Sequence, residues 1–231
     1  MHNPQPEVLD LFCCAGGATR GYQEAGFRVT GVDIVFREEY PGEEFHQADA
    51  VEFVWDNMEE IRRRFVLAHA SPPCQGEGAP AKGTNRVRGN PHPRLIEPTR
   101  AALEALGLPY VIENVAGAEI RKDLMLCGEM FGLGVIMHRF FELGWRLEIP
   151  QPEHRKHRGR VRGWRHGRYY DGPYVAAYGN GGGKATVAEM KEAKGIDWTD
   201  EHLALREAIP PAYTRYIGEY VREFLALERA A

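Results

Sequence analysis

The chain has 231 residues, a length that predicts one domain with at most a small appendage. Hydrophobic residues make up 43% and charged residues 27%, the balance of an ordinary globular protein. No apolar run approaches the length of a membrane span, about 18 residues. The N-terminal MHNPQPEVLDLF lacks the basic and apolar regions of a signal peptide. Four cysteines without a CxxC pair indicate free thiols in a reducing cytoplasm.

The net charge of −4 conceals an asymmetry. The segment His154 to Arg168 (HRKHRGRVRGWRHGR) carries seven Arg or Lys, three His and no acid, whereas 22 basic residues face 33 acidic ones elsewhere. Such a segment can be a solvated loop or a contact surface for nucleic acid, and the charge pattern alone leaves both open.

Strand and helix patterns alternate in the first half of the chain. A short apolar strand is followed by the glycine-bearing turn CCAGG and a helix that runs to about Ala25. Further apolar runs predict three more strands, and a helix is expected from Leu95 to Leu106. The four predicted strands are Glu7 to Phe12, Arg28 to Ile34, Phe65 to Ala70 and Pro109 to Val115.

This alternation predicts an α/β fold with a doubly wound, mostly parallel sheet. Sites in such sheets lie beyond the carboxyl ends of the strands. Since Asp10, Asp33, Cys74 and Glu113 all fall at or near predicted strand ends, we expect them to converge on one crevice.

Two stretches lack regular periodicity. Residues 76–94 are rich in Gly, Pro and polar residues, and a loop of this length in a compact domain is usually functional or mobile. Regular spacing lapses after Trp145 and returns near Ala185. The last predicted helix, Ala212 to Leu227, carries apolar side chains at helical spacing that we expect to face the core: Tyr213, Tyr216, Ile217, Tyr220 and Phe224.

The first chemical motif is DLFCCAGG, from Asp10 to Gly17. A strand, a glycine turn and a helix present backbone N–H groups to a ligand, although a glycine-rich turn alone is a weak signal. Asp33 at the end of the next strand strengthens it, because an acid there can accept hydrogen bonds from ribose hydroxyls.

The second and third motifs are SPPCQ, Ser71 to Gln75, and ENV, Glu113 to Val115. Cys74 follows a Pro-Pro turn and precedes a polar loop, which suits an accessible nucleophile better than a buried small hydrophobe. Cys127, Cys13 and Cys14 are instead expected to be buried small hydrophobic residues. Glu113 can be a general acid or a loop acid, but beside Cys74 it suggests covalent catalysis with acid assistance.

Taken in order, DLFCCAGG with GYQEAGF, VDI, SPPCQ, ENV and HRFFE resemble the motifs of the DNA cytosine-5 methyltransferases. The C-terminal REAIPPAYTRYIG is similar to that family's last motif, which closes the cofactor pocket. The resemblance covers residues 7–144 and roughly 195–220, and its short form is most similar to versions carried by phages and their bacterial hosts.

The resemblance implies a Rossmann-like, S-adenosylmethionine-dependent methyltransferase fold with a reduced target-recognition insert. Residues 1–144 would form the catalytic core, 145–194 a short basic insert, and 195–231 a segment completing the core. The expected partner is DNA, and we expect a monomer with no membrane and no metal, since no ligand spacing among the histidines fits zinc. The residues expected to bind S-adenosylmethionine, with S-adenosylhomocysteine as product, are Asp10, Phe12, Ala15, Gly16, Gly17, Asp33, Ile34, Asp49 and Pro73.

The implied mechanism is addition of Cys74 to carbon 6 of cytosine, which makes carbon 5 nucleophilic toward the methyl group. Glu113 would bind ring nitrogen 3 and the exocyclic amine, with Arg139 as a partner of the cytosine carbonyl or of Glu113. Reaching carbon 6 in duplex DNA requires flipping the base out of the stack. The residues expected to contact DNA are Gln75, Arg86, Arg88, Arg158, Arg160, Arg162 and Arg165.

Several positions depart from the family pattern. Cys14 occupies a customary glycine position, Val135 and Met137 stand where Gln and Arg are expected, and Glu207 replaces a customary asparagine. The insert of residues 145–194 is too small for an elaborate base-reading domain, so we expect phosphate contacts to dominate and sequence recognition to be short or relaxed.

Other functions are compatible with parts of the pattern. An RNA cytosine methyltransferase of the same fold would share Cys74 and Glu113. A catalytically silent DNA-binding protein would fit the eroded motif around Arg139. A cysteine hydrolase pairing Cys74 with His69 or His92 would leave the glycine turn and IPPAY unexplained.

Overall fold

The computed structural model describes residues 5–73, 94–144, 147–177 and 185–230. Within these ranges a seven-stranded sheet has the order β3-β2-β1-β4-β5-β7-β6, and a separate two-stranded hairpin joins β8 to β9. The strands are β1 Glu7–Leu11, β2 Arg28–Asp33, β3 Glu44–Gln47, β4 Phe65–Ala70, β5 Tyr110–Asn114, β6 Leu124–Leu126, β7 Arg139–Gly144, β8 Gly163–Arg165 and β9 Arg168–Tyr170.

The helices lie between and after these strands. They are α1 Gly17–Glu24, α2 Ala50–Asp56, α3 Met58–Arg64, α4 Ile96–Leu106, α5 Val187–Lys194, α6 His202–Glu207 and α7 Pro211–Ala230, with a short 3-10 helix at Gly128–Phe131. Neighbouring strands from β3 to β5 are parallel, whereas β7 runs antiparallel to both β5 and β6. The predicted doubly wound, mostly parallel sheet is therefore confirmed.

Both faces of the sheet are covered, which explains why the strands are apolar throughout rather than alternating. One core contains Val8 and Val111 with side chains of α1 and α7, including Tyr22 and Tyr213. The other contains Leu9 and Ile112 with side chains of α2, α3 and α4. Successive residues of β1 thus enter opposite cores, as the period of a strand requires.

The four strands predicted from the sequence correspond to β1, β2, β4 and β5, and the predicted helices correspond to α1, α4 and α7. In α7, Tyr213 and Ile217 are buried, and Tyr216, Tyr220 and Phe224 pack at the margin of the same core. The hairpin β8–β9 lies inside the stretch where periodicity lapses. Its strands span three residues each, too few for a pattern to be visible.

Helix α7 packs directly on α1, although the two are almost 200 residues apart in sequence. Thr214 Oγ1 donates to the carbonyl of Ala18 at 2.8 Å. The contact depends on glycine, because a Cβ on Gly21 would lie 2.1 Å from the carbonyl oxygen of Pro211 and from Thr214 Oγ1. Within the described ranges, no helix combines the length and apolar character needed to cross a membrane.

The close contact predicts that Gly21→Ala destabilises the protein, the opposite of its usual effect in a helix. In an exposed helix interior this change stabilises by about 1 kcal/mol. Here the added methyl meets backbone atoms of α7, and overpacking of this kind costs about 1–3 kcal/mol. We expect a net loss in the free energy of unfolding, measured by urea denaturation, whereas Glu24→Ala on the exposed side of α1 should have little effect. A more stable Gly21→Ala variant would contradict the packing.

Candidate functional site

A cleft of about 650 Å³ opens at the carboxyl edge of the sheet. Its walls are the turn after β1, the ends of β2 and β5, the segment Ser71–Pro73 after β4, and residues 206–209 before α7. This volume lies in the range of pockets that hold cofactor-sized ligands. The position agrees with the rule that ligands bind beyond the carboxyl ends of parallel strands.

The turn between β1 and α1 has an unusual backbone. Phe12, Cys14 and Gly16 have φ angles of 57°, 46° and 76°. Positive φ is uncommon for residues other than glycine and concentrates at functional sites. At Gly16, which precedes α1, a Cβ would also lie 2.5 Å from Pro41. The sharp turn thus depends on left-handed backbone at these three positions, and Phe12 and Cys14 both line the cleft.

Asp33 fixes this turn to the end of β2. Its Oδ2 accepts a hydrogen bond from the backbone N–H of Cys14 at 2.9 Å, and its Oδ1 accepts one from Val35 at 2.9 Å. Each carboxylate oxygen has two lone pairs, so both can still accept a bond from a ligand in the cleft. Next to it Ile34, which also lines the cleft, is 69% exposed and offers apolar surface to a ligand ring.

Asp10 is a fully buried carboxyl at the base of the cleft. Thr19 Oγ1 donates to its Oδ2 at 2.6 Å, and Oδ1 has no hydrogen-bond partner among the described residues. Burial raises the pKa of Asp10 to about 7, opposed by the Thr19 hydrogen bond. A buried acceptor left unpaired is costly, so Oδ1 is suited to a ligand that brings a donor or a positive charge.

Asp49 has a local structural role as well as a place in the cleft. Its Oδ1 accepts hydrogen bonds from the backbone N–H groups of Val51 and Glu52 at 2.9 and 3.0 Å, which caps α2. Because both cap bonds end on Oδ1, the other oxygen remains for a ligand.

The opposite wall of the cleft is held by residues that the sequence analysis did not single out. Buried Lys194 donates to the carbonyls of Leu205 at 2.6 Å and Ala208 at 2.7 Å, at the C-terminal end of α6. Trp198 Nε1 donates to the carbonyl of Ala15 at 2.7 Å. A lysine in a helical segment is normally predicted to be exposed to solvent. The sequence around Lys194 therefore does not indicate that this side chain is buried against the end of α6.

Glu113 lies buried at the cleft beside Arg139. Arg139 Nε forms an ion pair with Glu113 Oε1 at 2.8 Å. Burial raises the pKa of Glu113, and the charge of Arg139 and a hydrogen bond from Ser71 only partly offset it. A carboxyl whose pKa is raised by burial keeps its proton to a higher pH than an ordinary glutamic acid, which suits a general acid.

Behind Glu113 a buried hydrogen-bond chain links Ser71 to the core. His69 Nε2 lies 3.1 Å from Ser71 Oγ, and its Nδ1 lies 3.0 Å from the hydroxyl of Tyr22. Burial lowers the pKa of His69 to about 3. An imidazole enclosed in this way is a weak base, which weighs against the hydrolase interpretation involving His69.

The segment before Cys74 is anchored to β5. Asn114 Nδ2 donates to the carbonyl of Pro72 at 2.9 Å, and Asn114 Oδ1 accepts from the N–H of Val115 at 2.9 Å. Pro73, the last described residue before Cys74, lines the cleft. The side chain of Asn114 thus holds the backbone at Pro72.

Two departures from the family pattern contact one another across the cleft. Cys14 Sγ lies 3.8 Å from Glu207 Oε2, and both residues line the cleft. Burial raises the pKa of Cys14 to about 11, so the thiol stays neutral and can donate to the carboxylate. The other two departures, Val135 and Met137, are buried in a core that also contains Met190.

The structure brings most of the predicted cofactor residues together. Those that line the cleft, with Glu113 and Arg139, are Asp10, Phe12, Gly17, Asp33, Ile34, Asp49 and Pro73. Ala15 and Gly16 belong to the same turn but do not line the cleft; Ala15 is buried. The predicted nucleophile and three predicted DNA contacts, Cys74, Gln75, Arg86 and Arg88, lie outside the described residues.

The basic segment is more firmly tied to the protein than its composition indicates. Arg158 pairs with Glu129 at 3.0 Å, and Arg162 pairs with Glu189 at 2.6 Å. Arg160, by contrast, lies over the exposed hairpin, with its guanidinium 5.7 Å from the ring of Tyr170. The described part of Arg165 is its backbone in β8. Phosphate contact by these arginines stays a prediction.

Comparison with known proteins identifies the fold. A protein described as a DNA modification methyltransferase encoded within an E. coli prophage has a solved structure that is similar with a TM-score of 0.62, covering 96% of this chain and 100% of that one at 14% identity. The methyltransferase EhMeth from Entamoeba histolytica is similar with a TM-score of 0.58, covering 96% and 99% at 12% identity.

Neither a protein-family model nor a curated protein sequence matches the chain. Identities this low show a shared fold rather than a shared activity. The chain therefore shares the Rossmann-like α/β fold of these two methyltransferases.

The buried Asp10 carboxyl predicts a specific pH dependence. The fold holds its proton up to a pKa of about 7, whereas the unfolded chain releases it near the ordinary value of 3.8. The contribution of Asp10 is therefore fully present below the lower pKa, and the free energy of unfolding should fall as the pH rises from about 4 to about 7. The variant Asp10→Asn lacks this titration, so its stability relative to wild type should increase across that interval.

Urea unfolding at several pH values measures this difference. Asp56→Asn, at an exposed position in α2, is the matched control and should keep the wild-type pH dependence. A constant difference between Asp10→Asn and wild type across the interval would mean that Asp10 does not titrate there.

Proposed function

We propose that this chain is a DNA cytosine-5 methyltransferase that uses S-adenosylmethionine, with Cys74 as nucleophile and Glu113 as general acid. The observation that carries the proposal is the composition of one cleft. The glycine turn, Asp33 and Asp49 line the same cleft as Glu113, Arg139 and Pro73, which directly precedes Cys74 in the chain. A cofactor bound by the first group would thus lie beside a base held by the second.

The cleft fits the cofactor in three respects. Asp10 offers an unpaired buried oxygen to a positively charged or donor group. Asp33 is placed to accept from ribose hydroxyls, and exposed Ile34 offers apolar surface to the adenine ring. The bound cofactor would supply an electrophilic methyl group.

The base would be activated by two residues of the chain. The thiolate of Cys74 would form a bond to carbon 6 of cytosine, while the proton on Glu113 passes to ring nitrogen 3. Burial raises the pKa of Glu113, so its carboxyl keeps this proton to a higher pH than an ordinary glutamic acid. Arg139, at 2.8 Å, would fix the carboxyl and reach the cytosine carbonyl. Carbon 5 of the adduct would then take the methyl group, with S-adenosylhomocysteine as the leaving product. Loss of the carbon 5 proton to water would break the bond between carbon 6 and sulfur and release the Cys74 thiolate, and ring nitrogen 3 would return its proton to Glu113.

DNA would be held by the insert that contains the β8–β9 hairpin. Trp164 and Tyr169 are 65% and 50% exposed on neighbouring strands, with ring centroids 5.8 Å apart. Exposed aromatic rings beside arginines are a common platform for bases and phosphates. The target base would have to leave the stack to reach the buried Glu113.

The experiment that tests the proposal is transfer of a labelled methyl group from S-adenosylmethionine to duplex DNA, single-stranded DNA and tRNA. Cytosine-level sequencing of the methylated DNA identifies the base and its context. Label on tRNA alone would assign the site to RNA, and no label on any substrate would overturn the proposed activity.

Two variants test the assigned roles. Cys74→Ser should abolish methyl transfer, since a serine hydroxyl is far less nucleophilic at neutral pH. Glu113→Gln should reduce the rate by roughly 100- to 10,000-fold, since the amide has no acidic proton to donate. Glu104→Gln, on the exposed side of α4, is the control and should retain full activity. Turnover by Glu113→Gln within a factor of two of wild type would contradict the role of the acid.

The hairpin makes a separate prediction for DNA binding. Arg160→Ala should flatten the dependence of log affinity on log salt concentration by about 0.9, the value for one lost phosphate contact on duplex DNA. Because Arg162 also pairs with Glu189, Arg162→Ala should flatten the slope by less than Arg160→Ala. Trp164→Ala should weaken binding equally at every salt concentration. Fluorescence anisotropy measures all three, and an unaltered slope for Arg160→Ala would remove Arg160 from the interface.

A further inference from the structure

A cluster of one cysteine and three histidines lies between the sheet edge and the insert. Cys127 follows β6, His138 precedes β7, and His154 and His157 belong to the chain beyond β7. One potential ligand atom from each residue lies within 4.8 Å of all the others. Cys127 is buried and the three histidines are partly buried. The cluster uses none of the residues that line the proposed active site.

Two of the six distances between ligand atoms in the cluster match those of one tetrahedral zinc ion, and the other four are at most 4.8 Å. Zinc binds nitrogen at about 2.0–2.1 Å and thiolate sulfur at about 2.3 Å, so tetrahedral angles place two nitrogens about 3.3 Å apart and a sulfur about 3.6 Å from a nitrogen. In the structure, His138 Nε2 and His154 Nε2 are 3.3 Å apart. Cys127 Sγ and His157 Nε2 are 3.6 Å apart.

Pairwise hydrogen bonds explain these contacts less completely. A thiol–imidazole pair and an imidazole–imidazole pair could each form without the other. Instead, the three imidazole rings converge, with centroids 5.2, 5.3 and 5.0 Å apart. Convergence of all four donor atoms is what a single shared ion requires. Imidazole nitrogen with thiolate sulfur is a donor set suited to zinc among the common divalent ions.

We propose that Cys127, His138, His154 and His157 bind one zinc ion in a closed structural site. Four protein ligands leave no position for water or substrate, which is the mark of a structural rather than a catalytic zinc. No metal was expected from the sequence, because the spacing of its histidines matches no zinc motif. The ligands come instead from three segments, and His166 lies in the turn of the β8–β9 hairpin, outside the cluster.

Zinc bound here would fasten the DNA-binding insert to the catalytic core. The ion would join His154 and His157 to the strand edge at Cys127 and His138, and His138 directly precedes Arg139, the partner of Glu113. Other contacts bridge the same boundary: Tyr174 and Arg158 both contact Glu129, and Gln151 bonds to the backbone of Met125. The metal would thus add to contacts that already hold the insert against the core.

The test measures metal content independently of methyl transfer. The full chain, produced with zinc and dialysed, should contain one zinc per molecule by mass spectrometry. Replacing zinc with Co²⁺ should give the visible bands of a tetrahedral site and a thiolate-to-cobalt charge-transfer band. Cys127→Ser should lose the charge-transfer band. His154→Asn and His157→Asn should each lower zinc affinity by at least about 100-fold, because loss of a ligand costs at least as much as loss of a residue that only orients a ligand.

His166→Asn is the matched control, because His166 lies in the same basic segment but outside the cluster, and asparagine tolerates its positive φ of 50°. This variant should bind zinc and Co²⁺ like the wild type. If the buried Cys127→Ser variant fails to fold, the partly exposed histidine variants still decide the question. A dialysed wild type without zinc and with only the spectrum of hydrated Co²⁺, or equal affinities for His154→Asn and His166→Asn, would overturn the proposal.

Discussion

The cleft depends on the close approach of α1 to the chain around α7. A Cβ on Gly17 would lie 2.2 Å from the carbonyl of Ile209, so the glycine lets the two segments meet backbone to backbone. Thr214 and Trp198 add hydrogen bonds to Ala18 and Ala15. Because this contact joins the first helix to the last, the wall of the cleft is built from segments that are far apart in the sequence.

The buried acids of this protein differ in how completely their oxygens are paired. Burial alone would raise the pKa of Glu142, but hydrogen bonds from Arg100 and Arg121 outweigh it and the pKa is lowered. Asp10 and Glu113 are also buried, but burial raises the pKa of each. Asp10 Oδ1 has no hydrogen-bond partner among the described residues, and Glu113 pairs with one arginine rather than two. A fully paired buried acid stabilises the fold, whereas an incompletely paired one is available to a ligand.

The insert shows how a short segment can present exposed aromatic side chains without a large domain of its own. Its inner side is paired with the core through Arg158, Arg162 and Tyr174. Its outer side exposes Trp164 and Tyr169 on a hairpin. An insert of this length has little hydrophobic core of its own. Ion pairs and the proposed zinc site would therefore supply the stabilisation that such a core gives a larger domain.

The sequence by itself determined the α/β class, the main strands and the residues at their carboxyl ends. These follow from local rules: apolar runs form strands, glycines allow the turn, and parallel strands bring Asp10, Asp33 and Glu113 to one edge. Only the tertiary structure decided the pairing of Glu113 with Arg139, the anchoring role of buried Lys194, the contact of Cys14 with Glu207, and the meeting of Cys127 with His138, His154 and His157. Those partners lie far apart in the chain, and no local pattern records which distant side chains will share a site.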